Sequence, residues 1–263
     1  MPGGISNEEV WRGIVSGSDS VLARVRRRNK RLPGSPRCKQ CLLPIGGPLA
    51  WVMRLRGLQA SEGNPNFCNN CELFIRKHPG GVEVEITSFF ADVRGSTAMA
   101  EKISPTSFTA AMNRFFGAAS QVLVQSDAYI DRLIGDEVVG FFMPYLGAGN
   151  SRRAVWAARD LLIATGHQDI SGPWLPVGIG VNTGIAFVGS VGTPDGRNDF
   201  TAMGDVVNVT ARLSALAGAG EIVIGEAAWK KAAIETEAPE QRRIEVKGKT
   251  EPLDVYVLRV GTN

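Results

Sequence analysis

The sequence has no run that approaches the roughly 20 consecutive apolar residues of a membrane-spanning helix, so we expect no membrane span. Its first residues lack the basic start, apolar stretch and small-residue cleavage site of a secretory signal peptide. We therefore expect a cytoplasmic protein. No internal repeat is present, and the two histidines, His78 and His167, stand in no pattern with partner residues. The net charge of +3 is too small to require a nucleic-acid partner.

What is present is enough apolar material for a folded core, since 44% of the 263 residues are hydrophobic and 21% are charged. Composition divides the chain into three zones. Residues 1–36 form a basic N-terminal arm. Residues 37–78 hold all four cysteines, many Gly, Pro and Asn residues and few helix or strand signals. Residues 82–263 alternate strands with helices and form the third zone.

The four cysteines form two C-x-x-C pairs, Cys38 with Cys41 and Cys68 with Cys71, with 26 residues between the pairs. In a reducing compartment such cysteines are more often metal ligands than disulfides. Paired C-x-x-C knuckles favour a tetrahedral, structural Zn²⁺ site. The metal would supply folding energy that this apolar-poor segment lacks. An iron–sulfur or redox role and unliganded thiols are the alternatives.

The N-terminal arm contains a run of basic residues, for which the simplest interpretation is one solvated helix face. Binding to nucleic acid or to an anionic membrane surface is the alternative. The run consists of Arg24, Arg26, Arg27, Arg28, Lys30 and Arg31.

The third zone predicts an α+β fold with the ferredoxin-like, split βαβ order β-α-β-β-α-β. Apolar alternation predicts strands and a 3.6-residue period predicts helices. We expect a turn at 182–184 inside a β-rich stretch. The predicted strands are 82–91, 128–133, 137–142, 177–191, 221–224, 243–246 and 253–259, and the predicted helices are 96–126 (broken at 104–105), 149–165 and 205–216.

Two aspartates lie where neighbouring strands of this fold end: Asp92 after the first strand and Asp136 at the tip of the hairpin. Two such carboxylates can converge on Mg²⁺, which binds one or two carboxylates together with substrate phosphates. A helix follows Asp92, so its first amides would face an anion. The alternative is that Asp92 caps the following helix and that Asp136 is an ordinary turn residue. The amides of this expected cradle belong to Val93, Arg94, Gly95, Ser96 and Thr97.

A second cluster places Asn208 and Arg212 four residues apart, on one face of a helix. An amide and a guanidinium there could hold a ribose and a phosphate. Lys247 lies beside Gly248 near the C-terminus. Taken alone, both features are more typical of solvated surface.

Together, the segments FFADVRGST, RLIGDEVV, VGIGVNTG, FTAMGDVVNVTARL and EVKGK resemble the ordered motif set of class III adenylate and guanylate cyclases, closest to the soluble bacterial type. The resemblance covers about 180 residues. It implies conversion of a purine nucleoside triphosphate into a 3′,5′-cyclic monophosphate and pyrophosphate. It also implies two Mg²⁺ or Mn²⁺ ions per site and a head-to-tail homodimer that shares each site between two chains.

The resemblance assigns a role to each matched position. Asp92 and Asp136 match the metal ligands, Asn208 the residue that orients the ribose, and Arg212 the arginine at the α-phosphate. Lys247 matches the lysine at the outer phosphates, while Arg132 and Thr201 match the base-selecting pair.

Two departures from the family pattern bear on substrate and activity. Adenylate cyclases usually carry Lys where this chain has Arg132, and the two cations are not interchangeable. Thr201 is common among bacterial adenylate cyclases, so we favour ATP, with guanylate cyclase as an alternative. Gly178 stands where some members carry a phosphate-binding arginine, which keeps open a non-catalytic nucleotide-binding regulator. A diguanylate cyclase is disfavoured because only residues 135–137 match its signature.

Overall fold

The computed structural model describes residues 6–16, 20–192, 198–235, 239–245 and 251–261. The chain folds into two compact units. Unit 1 comprises Met1–Val84, Pro144–Ala148 and Phe187–Met203, and unit 2 comprises Glu85–Met143, Gly149–Ala186 and Gly204–Asn263. Our three zones follow composition rather than packing and stay a prediction. Within the described residues, every helix is too short or too polar to cross a bilayer.

The described part of unit 1 contains four helices: α1 (Asn7–Val15), α2 (Ser20–Lys30), α3 (Ala50–Leu55) and α4 (Asn69–Lys77). A capping box of Ser6 and Glu9 starts α1. Two of the helices lie in the cysteine zone, where the sequence signals are weak. Helix α4 begins directly after Cys68 and carries Cys71 on its first turn.

Among the residues that the structure describes, eight strands form one sheet in the order β2-β3-β1-β4-β6-β8-β7, with β5 paired to β4. Strands β1 and β3 are antiparallel, whereas β4 and β6 are parallel. The strands are β1 (Gly80–Val93), β2 (Tyr129–Ile134), β3 (Glu137–Phe142), β4 (Val177–Gly192), β5 (Asn198–Met203), β6 (Glu221–Gly225), β7 (Glu240–Ile244) and β8 (Leu253–Arg259).

The strands and helices of unit 2 follow the predicted split βαβ order, and the α+β fold class is confirmed. Ser104 caps the second helix by accepting a hydrogen bond from the Ser107 amide, and Pro105 opens it. Helix α9 and strand β5 are additions that we did not predict. The helices are α5 (Ser96–Lys102), α6 (Pro105–Gln125), α7 (Asn150–Ala164), α8 (Asp205–Leu216) and α9 (Glu226–Ala232).

The predicted turn at 182–184 is wrong, because β4 runs without a break through these residues. Thr183 points into unit 2, where its hydroxyl forms hydrogen bonds with Thr87 (2.8 Å) and Ser151 (2.9 Å). Asn, Thr and Gly are typical of turns. Here the buried hydroxyl network and the neighbouring strands outweigh that local preference.

The core of unit 2 lies between the sheet and the helices packed on it. Phe89 on β1, Phe142 on β3 and Ile179 on β4 are fully buried together with Phe115 on α6 and Leu161 on α7. Burial of these large apolar side chains holds the sheet rigid. The strand ends that carry the predicted site residues are therefore fixed by the core.

Candidate active site and candidate metal centre

The two predicted metal-binding aspartates lie side by side at one edge of unit 2. In the β1–β3 ladder Asp92 is paired with Glu137, the residue after Asp136. The Val93 amide donates a hydrogen bond to the Asp136 carbonyl oxygen over 3.1 Å. Gly135 adopts φ +63° at the tip of the hairpin, a conformation that glycine reaches without strain.

Three carboxylates crowd this edge, and Glu137 is a member that we did not predict. Partial burial raises the pKa of Asp92, Arg94 opposes that rise, and the nearby Asp136 charge adds to it. Burial and the charge of Asp92 raise the pKa of Glu137, which Arg132 opposes. Clustered carboxylates repel one another and are stabilised by a divalent cation. The donor set therefore fits Mg²⁺ or Mn²⁺.

Arg94 connects this edge to helix α8. Its guanidinium forms an ion pair with the Asp92 carboxylate over 2.5 Å and donates to the Ala215 carbonyl oxygen over 3.0 Å. Its backbone amide donates to the Pro176 carbonyl oxygen over 2.8 Å. Arg94 thus holds the carboxylate of Asp92 in place and ties the end of β1 to the C-terminal turn of α8.

The structure narrows the predicted amide cradle at Val93–Thr97. The amides of Val93 and Arg94 already donate to carbonyl oxygens of unit 2, so they are not available to an anion in this conformation. The Ser96 hydroxyl donates to the Asp136 carboxylate. Of the five predicted amides, those of Gly95, Ser96 and Thr97 precede the first helical hydrogen bond, which runs from the Met99 amide to the Gly95 carbonyl oxygen. The cradle at Val93–Thr97 stays a prediction, and in this conformation its available amides lie in the second part of the segment.

Helix α8 presents Asn208 and Arg212 away from its buried side. Val209 and Leu213 are buried in unit 2, whereas Asn208 is exposed and Arg212 is half-buried. Among the described residues, no hydrogen bond or ion pair involves the side chain of either one. Both polar groups are therefore available to a ligand or to a second protein chain.

The two residues predicted to select the base, Arg132 and Thr201, belong to different units. Arg132 lies on β2 in unit 2, where its Nε donates to the Asp131 carboxylate over 2.8 Å. Thr201 lies on β5 in unit 1, opposite Gly189 of β4, and its buried hydroxyl oxygen has no hydrogen-bond partner within the described part of the chain. Lys247 lies outside the described residues.

Gly178 cannot supply the arginine that some relatives carry. A Cβ atom built at this position would lie 2.6 Å from the Ala217 carbonyl oxygen and 3.0 Å from that of Gly218. These two carbonyl oxygens, together with the Ala217 Cβ atom at 3.0 Å, leave no room for a side chain. This departure from the family pattern is therefore built into the packing of β4 against the end of α8.

The four cysteines of the two pairs converge in unit 1. Their sulfurs all lie within 4.8 Å of one another, and the Cys41 and Cys68 sulfurs are 3.7 Å apart. Tetrahedral Zn²⁺ with Zn–S distances near 2.3 Å spaces its sulfurs about 3.8 Å apart. Hydrogen bonds from the other three thiols, Cys38 first, lower the pKa of Cys68. A crowded set of proton-sharing sulfurs fits a cation that replaces their protons.

Helix α2 braces the first cysteine knuckle with two buried polar residues that we did not predict. Arg26 donates to the carbonyl oxygens of Lys39 (3.1 Å) and Gln40 (2.6 Å), and Asn29 donates to that of Cys41 (2.9 Å). The solvated-face interpretation of the basic run is wrong for Arg26, which is buried. The sequence did contain a signal for this burial. Leu22, Val25, Arg26 and Asn29 are spaced three or four residues apart, which places them on one side of a helix.

Comparison with curated proteins finds adenylate cyclases. The terminal-differentiation-specific adenylate cyclase of Dictyostelium discoideum is 30% identical over 179 residues, which cover 65% of this chain and 8% of that protein. The adenylate cyclase of Anabaena cylindrica is 27% identical over 194 residues, which cover 66% of this chain and 36% of that protein. The chain spans well under two thirds of the length of these relatives.

Solved structures with the same fold include cyclases of both nucleotide classes. The guanylyl cyclase Cya2 matches with a TM-score of 0.63 at 26% identity, covering 70% of this chain and 96% of that one. The adenylyl cyclase CyaB from P. aeruginosa matches with a TM-score of 0.60 at 27% identity, and the match covers 69% of this chain and 96% of CyaB. The family model described as adenylate and guanylate cyclase catalytic domain matches residues 82–260. The chain therefore belongs to the class III adenylate and guanylate cyclase family.

Proposed function

We propose that this protein is an adenylate cyclase, which converts ATP into 3′,5′-cyclic AMP and pyrophosphate. The observation that carries the proposal is the convergence of Asp92 and Asp136. The β1–β3 register and the Val93–Asp136 hydrogen bond hold the two aspartates next to each other. Carboxylates at this edge can bind two Mg²⁺ or Mn²⁺ ions together with the triphosphate.

In the proposed reaction the 3′-oxygen of the ribose attacks the α-phosphorus in line. A new P–O3′ bond forms, the bond from the α-phosphorus to the bridging oxygen breaks, and pyrophosphate leaves. When bound, the metal ions lower the pKa of the 3′-hydroxyl and neutralise phosphate charge. Asp92 and Asp136 hold those ions, while Arg94 keeps the Asp92 carboxylate oriented through its 2.5 Å ion pair.

The remaining groups bind substrate and stabilise charge. Arg212 would place its guanidinium at the α-phosphate, where negative charge develops in the transition state. Asn208 would orient the ribose through hydrogen bonds, and Lys247 would bind the outer phosphates. The side chains of Asn208 and Arg212 lack partners within the described part of the chain, which fits groups whose partner is the substrate.

Base selection would depend on Arg132 and Thr201. Within the described residues the Thr201 hydroxyl oxygen is buried without a partner, and such a group is expected to bind something. We favour adenine as that partner. GTP is the second candidate, because a guanylyl cyclase and an adenylyl cyclase match the fold to a similar extent.

We further propose that each site forms between two copies of the chain arranged head to tail. Unit 2 exposes large apolar side chains close to the proposed site residues: Leu133 and Ile134 near the hairpin tip and Leu216 at the end of α8. Contact between copies would bury these groups. We also propose that Zn²⁺ occupies the four-cysteine cluster as a structural ion.

The test mixes two inactive variants of the full chain. Asp92→Ala removes a metal ligand and Arg212→Ala removes the phosphate contact, so each homodimer should lack cyclase activity with ATP. A mixed dimer keeps one intact site, and free exchange should restore about a quarter of wild-type activity. Activity is measured with ATP and with GTP, in Mg²⁺ and in Mn²⁺.

Asp160→Ala serves as the control, because Asp160 is an exposed carboxylate on the surface of α7. Its activity should equal that of the wild type. No product from either nucleotide with either metal would overturn the cyclase proposal and support a nucleotide-binding regulator. Product from GTP alone would overturn the choice of ATP. No recovery in the mixture would overturn the shared site.

A further inference from the structure

Helix α3 of unit 1 has an apolar pair on its outer side. Ala50 and Met53 face inward and are buried. Trp51 and Leu55, four residues apart on the opposite side, are 64% and 77% exposed. Apolar side chains that are exposed next to each other and rimmed by polar residues are typical of interaction surfaces, whereas single scattered ones are not.

Helix α2 combines exposed arginines with an apolar groove. Val21 is 59% exposed, and Arg24, Arg27 and Arg28 are exposed on the same helix. Beside them lies a groove of about 410 Å³. Arg28 lies at the groove, whose main apolar lining is Val21, Leu22, Val25, Leu43, Leu58 and Phe74. Leu58, which follows the end of α3 by three residues, is the lining residue of this groove that is nearest to α3 in the sequence.

The charge of this part of the chain is strongly positive. Residues 1–84 contain 13 Lys and Arg against 6 Asp and Glu, a net charge of +7, whereas the whole chain carries +3. Arg54 and Arg56 flank Leu55 and are exposed. No side-chain hydrogen bond or ion pair within the described residues involves Arg27, Arg28, Arg54 or Arg56. These four guanidinium groups are therefore available to an external anionic partner.

We propose that unit 1 docks on the surface of a bilayer that contains anionic phospholipids. Trp51 and Leu55 would enter the interfacial layer, where tryptophan is favoured, and the arginines would bind lipid phosphates. A second copy of the chain is a poorer occupant, because a two-fold contact would place the arginines against each other. Nucleic acid would satisfy the arginines but not Leu55 or the apolar groove.

The experiment is vesicle flotation of the full chain without nucleotide, so its result does not depend on cyclase activity. Binding is compared between vesicles of phosphatidylcholine alone and vesicles of phosphatidylcholine mixed with phosphatidylglycerol. We expect binding to the anionic vesicles only, weakened by added salt. The double variant Trp51→Ser, Leu55→Ser should bind at least about tenfold more weakly. Arg54→Gln and Arg56→Gln should each cost about fivefold.

Matched controls come from unit 2. Ile170 is fully exposed and Arg152 is exposed on α7, so Ile170→Ser and Arg152→Gln should leave vesicle binding unchanged. Absence of binding to anionic vesicles would overturn the proposal. The proposal would also be overturned if the control variants lost as much vesicle binding as the variants of unit 1. Stronger binding to RNA than to vesicles, or a change of oligomeric state caused by the Trp51 and Leu55 substitutions, would overturn it by assigning the surface to nucleic acid or to a second copy.

Discussion

Each of the two units of this protein is stabilised by a different kind of interaction. Unit 2 buries a continuous set of large apolar side chains between its sheet and helices, with Phe89, Phe115 and Leu161 fully buried. Unit 1 places four cysteine sulfurs within 4.8 Å of one another and braces their loops with buried polar donors. Apolar burial suffices for unit 2, whereas unit 1 would depend on a bound ion for part of its stability.

The largest expected effect comes from removing the proposed zinc. Strong chelation, or the substitution Cys71→Ser, should unfold the cysteine loops, because structural zinc contributes on the order of 10 kcal/mol to small zinc domains. Hydrogen exchange measured by mass spectrometry should show loss of protection across residues 36–77. Peptides from β1 in unit 2 (residues 85–93) serve as the internal control and should stay protected. Unchanged protection near the cysteines would show that unit 1 folds without metal.

A smaller effect, confined to chemistry, is expected from Arg212→Ala. Loss of one group that stabilises transition-state charge usually lowers kcat by about 100-fold to 1,000-fold. Steady-state kinetics with ATP should show that loss, while the zinc content of the purified variant stays at the wild-type value. The exposed Arg152→Ala change on α7 is the control. A similar fall in kcat for both variants would contradict a specific role for Arg212.

The smallest effect concerns an ion-pair cluster at the edge of the sheet in unit 2. Glu221 is paired with Arg242 (2.7 Å) and Arg259 (3.0 Å). The hydrogen bond from Arg242, then that from the Gly218 amide and the two arginine charges, lower the pKa of Glu221 to about 2. Its stabilising contribution is complete above the unfolded pKa, near 4.3, and disappears as the pH falls toward about 2.

Glu221→Gln should therefore lower the free energy of unfolding at neutral pH by about 2 kcal/mol, a value reduced for the exposure of Arg259. Denaturant titrations at several pH values should show the difference from wild type shrinking between roughly pH 5 and pH 2. Glu235→Gln, at an exposed carboxylate, should change little. A difference that stays constant with pH would mean that the charge of Glu221 is not the source of its stabilising effect.

Local sequence patterns sufficed for most of unit 2. The hairpin at β2–β3 and the break at Ser104–Pro105 appear where alternation and capping residues predicted them. Asp92 and Asp136 could be paired from sequence because the split βαβ order places their strands next to each other. The turn predicted at 182–184 does not form. The preference of Asn, Thr and Gly for turns is weaker than the stabilisation that β4 gains from pairing with its neighbouring strands.

Contacts between distant residues that depend on packing could not be predicted in this way. The sequence predicted that the Arg94 amide would bind an anion. In the structure the Arg94 side chain forms an ion pair with Asp92 and donates a hydrogen bond to the Ala215 carbonyl oxygen. Gly178 looked like a missing phosphate ligand, but backbone atoms of Ala217 and Gly218 fill the space around it. Ala215 is 121 residues from Arg94, and Ala217 and Gly218 are about 40 residues from Gly178, so no local pattern could reveal these contacts.

The buried position of Arg26 has a practical consequence for dissecting this protein. Composition suggests cutting the chain near residue 37, just ahead of the first cysteine pair. A fragment cut there would lose the donors that Arg26 and Asn29 supply to the carbonyl oxygens of Lys39, Gln40 and Cys41. Desolvated carbonyl oxygens without donors are costly. Any shortened form meant to retain the cysteine cluster should therefore start before α2, at the latest near residue 20.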